Sequence, residues 1–150
     1  MPTADHLGHV HLKVRDLDRA VDFYGSLLGL GVTERHANFA FLSFGDHHHD
    51  LALQEVSDDA PPAELGPTVG LYHSAWEVAD AAALRTTYEY LREQGTEVTA
   101  VDHGISKALY LDDPDGNGVE VYLDTRAEKN REAWEGRNTR FDPGALRTAD

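Results

Sequence analysis

The chain contains no cysteine. Disulfides and thiolate metal sites are therefore excluded, and any bound ion must be held by imidazole, carboxylate or amide groups. Basic residues are scarce, with 13 Lys and Arg against 27 Asp and Glu and a formal net charge of -14. That field repels a polyanion, so nucleic acid is not an expected partner. No apolar run approaches the ~20 residues needed to cross a bilayer. The opening "MPTADHLGHV" lacks a basic stretch followed by a long apolar one, so no signal peptide is read there. The expectation is a cytoplasmic protein with no membrane partner, acting on a small molecule. What the chain has in excess is histidine, nine in 150 residues, with three in succession in "FGDHHHDLALQEV".

A repeat runs through the chain at an offset of 64. "HVHLKVRDLDRAVDFYGSLLGLG" from His9 lines up with "HSAWEVADAAALRTTYEYLREQG" from His73. The matches are His9 with His73, Val14 with Val78, Asp16 with Asp80, Tyr24 with Tyr88, Leu27 with Leu91 and Gly31 with Gly95. Each copy opens on an alternating, strand-like segment. An Asp then offers a helix N-cap, at Asp16 and at Asp80. In the first copy Leu17, Ala20, Val21, Tyr24, Leu27 and Leu28 form a helical apolar stripe. Gly29 or Gly31, and Gly95, supply left-handed stops. Strand-like pieces follow at roughly 32–36, 39–44 and 50–56, then at roughly 97–101, 107–112 and 118–123.

The expected fold class is therefore α+β, with two tandem βαβββ modules over 5–57 and 70–125. The Pro- and Gly-rich "SDDAPPAELGPTVG" joins them. The polar tail, 126–150, reads as a partly helical arm anchored by Trp134 and Phe141. It would lie on the body or on a second subunit.

Alternation places Val10, Leu12 and Val14 on one face of the first strand and His9, His11 and Lys13 on the other. In the second copy His73, Ala75 and Glu77 share a face. After the turn in "DDPDGNGVEVYLD", Val119, Val121 and Leu123 point one way while Glu120 and Tyr122 point the other. His9, His73 and Glu120 could thus meet in one cup. Two histidines and a carboxylate form the facial triad that leaves positions open on a ferrous ion. Mn(II), Ni(II) and Zn(II) accept the same donors.

The segments "LGHVHLKVRDLDRAVDFYGSLLGLGV", "GLYHSAWEV" and "YLDDPDGNGVEVY" resemble the vicinal oxygen chelate superfamily. That group holds glyoxalase I, bleomycin- and fosfomycin-resistance proteins, methylmalonyl-CoA epimerase and type I extradiol dioxygenases. The resemblance covers about residues 5–125. It implies paired βαβββ modules whose sheets form a cup-shaped half-barrel metal site, with His9, His73 and Glu120 as metal ligands. "HDLAL" resembles the extradiol dioxygenase segment whose His is the acid/base group, a role that falls on His49. "DHGISKALYLDDPDGNGVE" resembles a later stretch in which a His-Gly pair precedes an active-site Tyr, which puts those positions on His103 and Tyr110. The His103 to Tyr110 interval is about two residues shorter than in catechol 2,3-dioxygenases.

What the resemblance implies is an Fe(II)- and O2-dependent extradiol ring-cleaving dioxygenase acting on a catechol-type substrate. Two-module members of the superfamily commonly form homodimers, with the cup drawn from one chain or from two. The alternative is an isomerase or lyase of the glyoxalase or epimerase kind, with Gln54 as a fourth ligand pseudo-symmetric with Glu120. A metal-free drug-binding resistance protein is the third reading, and the complete His/His/Glu set argues against it. Within the triple-histidine run, strand alternation prevents three consecutive side chains from serving one ion. His49 keeps the acid/base role, while His47 and His48 read as turn residues, with His48 a supporting partner.

Overall fold

The computed structural model describes residues 3–63, 67 and 69–146. Residues 64–66 and 68 of the expected connector and 147–150 of the tail lie outside the described residues. The chain forms two compact units. One is Met1–Glu64 with Asp113–Asn117; the other is Leu65–Asp112 with Gly118–Asp150.

In the first unit, β1 (Val10–Val14) leads into α1 (Leu17–Leu28), then β2 (Gly31–His36), β3 (Phe39–Ser43) and β4 (Leu51–Glu55). The helix starts where Asp16 accepts a hydrogen bond from the Arg19 amide at 2.9 Å. It ends at Gly29, whose φ of 74° closes the last turn. Leu17, Ala20, Val21, Tyr24 and Leu27 form its buried stripe. The sheet order is β1-β4-β3-β2, with β1 parallel to β4 and the other pairs antiparallel. Leu12, Val14, Ala40, Leu42, Leu51 and Leu53 are buried with the helix stripe.

The turn Asp113–Asn117 is held to this unit by charge and hydrogen bonds. Asp115 accepts from Arg15 Nε at 2.6 Å and Arg19 Nη2 at 2.8 Å. The buried Tyr24 hydroxyl donates to Asp113 at 2.9 Å. Gly116 faces the Ala63 carbonyl so closely, at a φ of 86°, that no side chain fits there.

The second unit repeats the plan with β5 (Ser74–Glu77), α2 (Ala81–Glu93), β6 (Thr99–Asp102), β7 (Ser106–Asp112) and β8 (Gly118–Asp124). Asp80 caps α2 through the Ala83 amide at 2.8 Å, and Gly95 turns the chain at a φ of 72°. The sheet order is β5-β8-β7-β6-β9, with β5 parallel to β8. Val119, Val121, Leu123, Leu109 and Leu84 are buried, as the alternation of β8 requires.

The tail adds α3 (Arg126–Lys129), the two-residue β9 (Thr139–Arg140) paired with β6, and one 3-10 turn at Pro143–Ala145 that packs on α2. It is therefore partly helical, in two short turns, and otherwise mostly irregular. Trp134 is 55% exposed, its indole bonding within the arm, whereas Pro143 and Leu146 are buried. Phe141 is half-buried, with the Lys107 ammonium 5.6 Å from its ring centre.

Candidate active site

In the first unit the polar face of the sheet gathers aromatic and imidazole rings. Phe39 and Phe41 stand on β3 with ring centres 6.5 Å apart and nearly parallel planes. His9, just before β1, lies 4.4 Å from His49 between ring centres, and Phe41 lies 5.0 Å from His49. The triple-histidine run occupies the connection between β3 and β4, since β4 begins only at Leu51. Strand alternation therefore does not separate these side chains, and His48 and His49 meet Nδ1 to Nδ1 at 2.8 Å.

The histidine loop is clamped at several points. Asp50 accepts the Phe44 amide at 2.8 Å. The Ser43 hydroxyl lies 2.7 Å from the His47 carbonyl. A β-bulge between Val32 and Glu34 turns the Thr33 hydroxyl to within 2.8 Å of the His48 carbonyl. Glu34 sits 3.2 Å from His48 Nε2. An ionised carboxylate only accepts, so Nε2 of His48 carries a hydrogen. A neutral His48 then accepts from His49 Nδ1–H, leaving Nε2 of His49 as a lone pair. Burial, followed by the neighbouring His9 and His48, lowers the His49 pKa below 6.5 and favours that neutral form.

In the second unit a single chain of contacts links the expected groups. His73 Nε2 lies 2.8 Å from Glu120 Oε2. The other oxygen, Oε1, accepts from the Tyr110 hydroxyl at 2.8 Å. His103 Nε2 lies 2.8 Å from that hydroxyl, so the short interval between His103 and Tyr110 still lets them meet. Glu120 is only 9% exposed, and a carboxylate at that depth needs such partners. Burial, then the Glu120 carboxylate, pushes the Tyr110 pKa above 10, so the phenol keeps its hydrogen.

These groups border a cleft of about 960 Å³ whose lining includes His73, His103, Tyr110 and Asn138. Gly118 is the close neighbour that lets His73 sit there. A Cβ on it would collide with the Tyr72 carbonyl and lie 3.1 Å from the His73 Cβ.

Among the described residues no group of three or more His, Asp or Glu is placed to hold one ion. The two expected ligands in the second unit nonetheless have the chemistry a metal would accept. An imidazole nitrogen and a carboxylate oxygen converge at 2.8 Å, and among the described residues the buried His73 Nδ1 has no hydrogen-bond partner.

Strand register corrects one equivalence. Ala75 lies opposite Glu120 and His11 lies opposite Ala52. The counterpart of Glu120 is therefore Ala52, not Gln54. Gln54 pairs with Lys13, as Tyr122 pairs with Glu77. It lies four strand positions beyond the level of His9, roughly 13 Å along the strand. Glu55 is engaged elsewhere, accepting the Leu17 amide at 2.9 Å. Sequence reasoning missed Asn138, whose carbonyl oxygen is 2.7 Å from His103 Nδ1. A polar residue in a polar tail carries no local signal of such a contact.

Two open sheets, each built on a module whose first and fourth strands are parallel and whose helix lies between its first two strands, define a protein of the paired βαβββ class. Residues 6–121 match the family model of the Glyoxalase/Bleomycin resistance protein/Dioxygenase superfamily, and the chain belongs to that superfamily. It is 34% identical over 130 residues to the catechol-2,3-dioxygenase of Bacillus subtilis, covering 87% of this chain and 44% of that protein. Biphenyl-2,3-diol 1,2-dioxygenase 3 of Rhodococcus globerulus is 33% identical, covering 85% of this chain and 67% of that protein. The glutathione transferase FosA of Serratia marcescens is 29% identical, covering 82% and 84% respectively. Among solved structures, a glyoxylase/bleomycin resistance protein/dioxygenase domain from Frankia shares the fold at a TM-score of 0.68 and 22% identity, covering 81% of this chain and 99% of that one. The chain thus spans less than half the length of the Bacillus dioxygenase. Among the described residues no helix is long and apolar enough to cross a membrane.

Proposed function

We propose that this chain carries the metal site of an extradiol dioxygenase that opens a catechol-type ring with Fe(II) and O2. The observation that carries the reading is the register that puts Ala52 at the counterpart of Glu120. An alanine offers no donor, so the ligand set is three, His9, His73 and Glu120. Three ligands leave room for a substrate that binds through two oxygens and for O2. An isomerase that needs a fourth protein ligand finds no donor at that strand level. When bound, Fe(II) would supply adjacent coordination positions and exchange electron density with the diol.

The protein's own groups have separable roles. His49, neutral with Nε2 unprotonated, accepts a proton from a diol hydroxyl and later returns it. The Tyr110 hydroxyl stays protonated and, with His103, hydrogen-bonds the substrate oxygens. Phe39 and Phe41 offer flat apolar faces to an aromatic ring. The dioxygenases among the relatives support this choice of reaction, and identities of 30–34% leave the ring substituents open.

Metal content and turnover separate these roles. His73→Ala is expected to lose bound metal. His49→Ala is expected to keep it while turnover falls by about 10²–10⁴-fold. Equal loss of metal in both variants would make His49 a ligand and overturn the assignment.

A further inference from the structure

We propose that the C-terminal arm belongs to the active site, with Asn138, held by Trp134, as the positioning residue that fixes His103. This rests on the reading of His103 and Tyr110 as groups that face substrate. The arm encloses the turn that carries His103. Lys129 pairs with Asp102 at 3.0 Å, and Asp102 in turn accepts the Gly104 amide at 2.7 Å. The Thr125 amide donates to the Ile105 carbonyl at 2.9 Å, and β9 adds Thr139 and Arg140 to the edge of β6. Gly104 has a φ of 81°, and any Cβ there would lie 2.6 Å from the Arg131 guanidinium. His103 is thus built into a turn that the arm wraps from both sides.

The hydrogen-bond directions then follow from the donor-only indole. Trp134 Nε1 can only donate, and its hydrogen is shared between the Arg137 carbonyl at 3.3 Å and Asn138 Oδ1 at 3.2 Å, so the Asn138 atom it meets is the amide oxygen. An oxygen already accepting from Trp134 must also accept from His103 Nδ1, at 2.7 Å. The hydrogen of a neutral His103 therefore sits on Nδ1, and Nε2 presents a lone pair to the Tyr110 hydroxyl 2.8 Å away. An imidazole free in water prefers the opposite tautomer, with its hydrogen on Nε2. Two acceptors, His103 Nε2 and Glu120 Oε1, consequently face the single hydrogen of Tyr110. The arm makes His103 an acceptor toward the cleft, which the opposite tautomer could not be.

The test is the ring tautomer of His103 in the metal-free full chain, read from 15N shifts of labelled histidine well above neutral pH. Wild type is expected to show the hydrogen on Nδ1. Asn138→Asp, which keeps an acceptor, is expected to retain it, and Asn138→Ala to move it to Nε2. With Fe(II) and 2,3-dihydroxybiphenyl as probe, Asn138→Ala is expected to lower kcat on the order of tenfold with KM little changed. A wild type already protonated on Nε2, or an Asn138→Ala variant that keeps Nδ1–H, overturns the proposal. The tautomer needs no turnover, so the switch in a chain that cleaves no diol supports the arm's role while removing the proposed reaction.

Discussion

Asp115 shows how one buried side chain ties a turn to a module. It is 4% exposed and faces two arginines, with Arg15 contributing both its side chain and its amide. Burial alone would raise its pKa, but the bonds from Arg15 and Arg19 outweigh it and hold the group below the ordinary 3.8. A carboxyl with a depressed folded pKa adds stability at pH values above 3.8, and loses it as pH falls through the lower folded value. Asp115→Asn is therefore expected to destabilise the protein at neutral pH by about 2 kcal/mol. The gap to wild type should close as the pH is taken below 4, followed by urea denaturation. A gap that stays constant down to pH 3 would show that the charge contributes nothing there. None of this pairing was visible in the sequence. Asp115 reads as a turn residue in "DDPDGNG", and its partners lie 96 and 100 positions away. By contrast, the caps Asp16 and Asp80 were legible, because a cap and its amide partner are three residues apart.

At the level of strands and loops, alternation made the faces readable but not the levels along them. Val119, Val121 and Leu123 fall on the buried face as expected, with Glu120 turned the other way. The offset between modules, however, is 64 at β1 and β5 and has grown to 68 where Ala52 matches Glu120. The connections between the strands differ in length, and a shift of two positions keeps a residue on its face while moving it along the strand. Gln54 is the residue misplaced by that drift. Strand alternation was the wrong reason for the histidine run, because the run lies before β4, in the turn where His47 and His48 were expected. Gly118 carries the prediction at this scale. A side chain there would push the Tyr72–His73 segment away from β8. Gly118→Ala is expected to weaken metal binding at least about tenfold while the folded signal persists. Gly8→Ala meets open space and should change neither. Unchanged metal affinity in Gly118→Ala would mean that His73 is not held by this contact.

For the whole molecule, membership of the superfamily was legible from three short segments, because the repeat sets His9 and His73 at matching positions and Glu120 follows on the last strand of the second module. The reaction was less legible. Members of one fold differ by which donor stands at one strand level and by what their loops contribute. The arm is the extreme case, a polar tail whose contribution to His103 depends on a hydrogen-bond chain running through Trp134 and Asn138. A three-ligand site used for ring cleavage would show itself most plainly in oxygen uptake. The protein is loaded with Fe(II) without air, given a panel of catechols and then O2. One O2 is expected to be consumed for each ring opened, with a yellow semialdehyde appearing at the same rate. No uptake with any catechol, together with proton exchange or isomerisation of a thioester by the same metal-loaded protein, would contradict it.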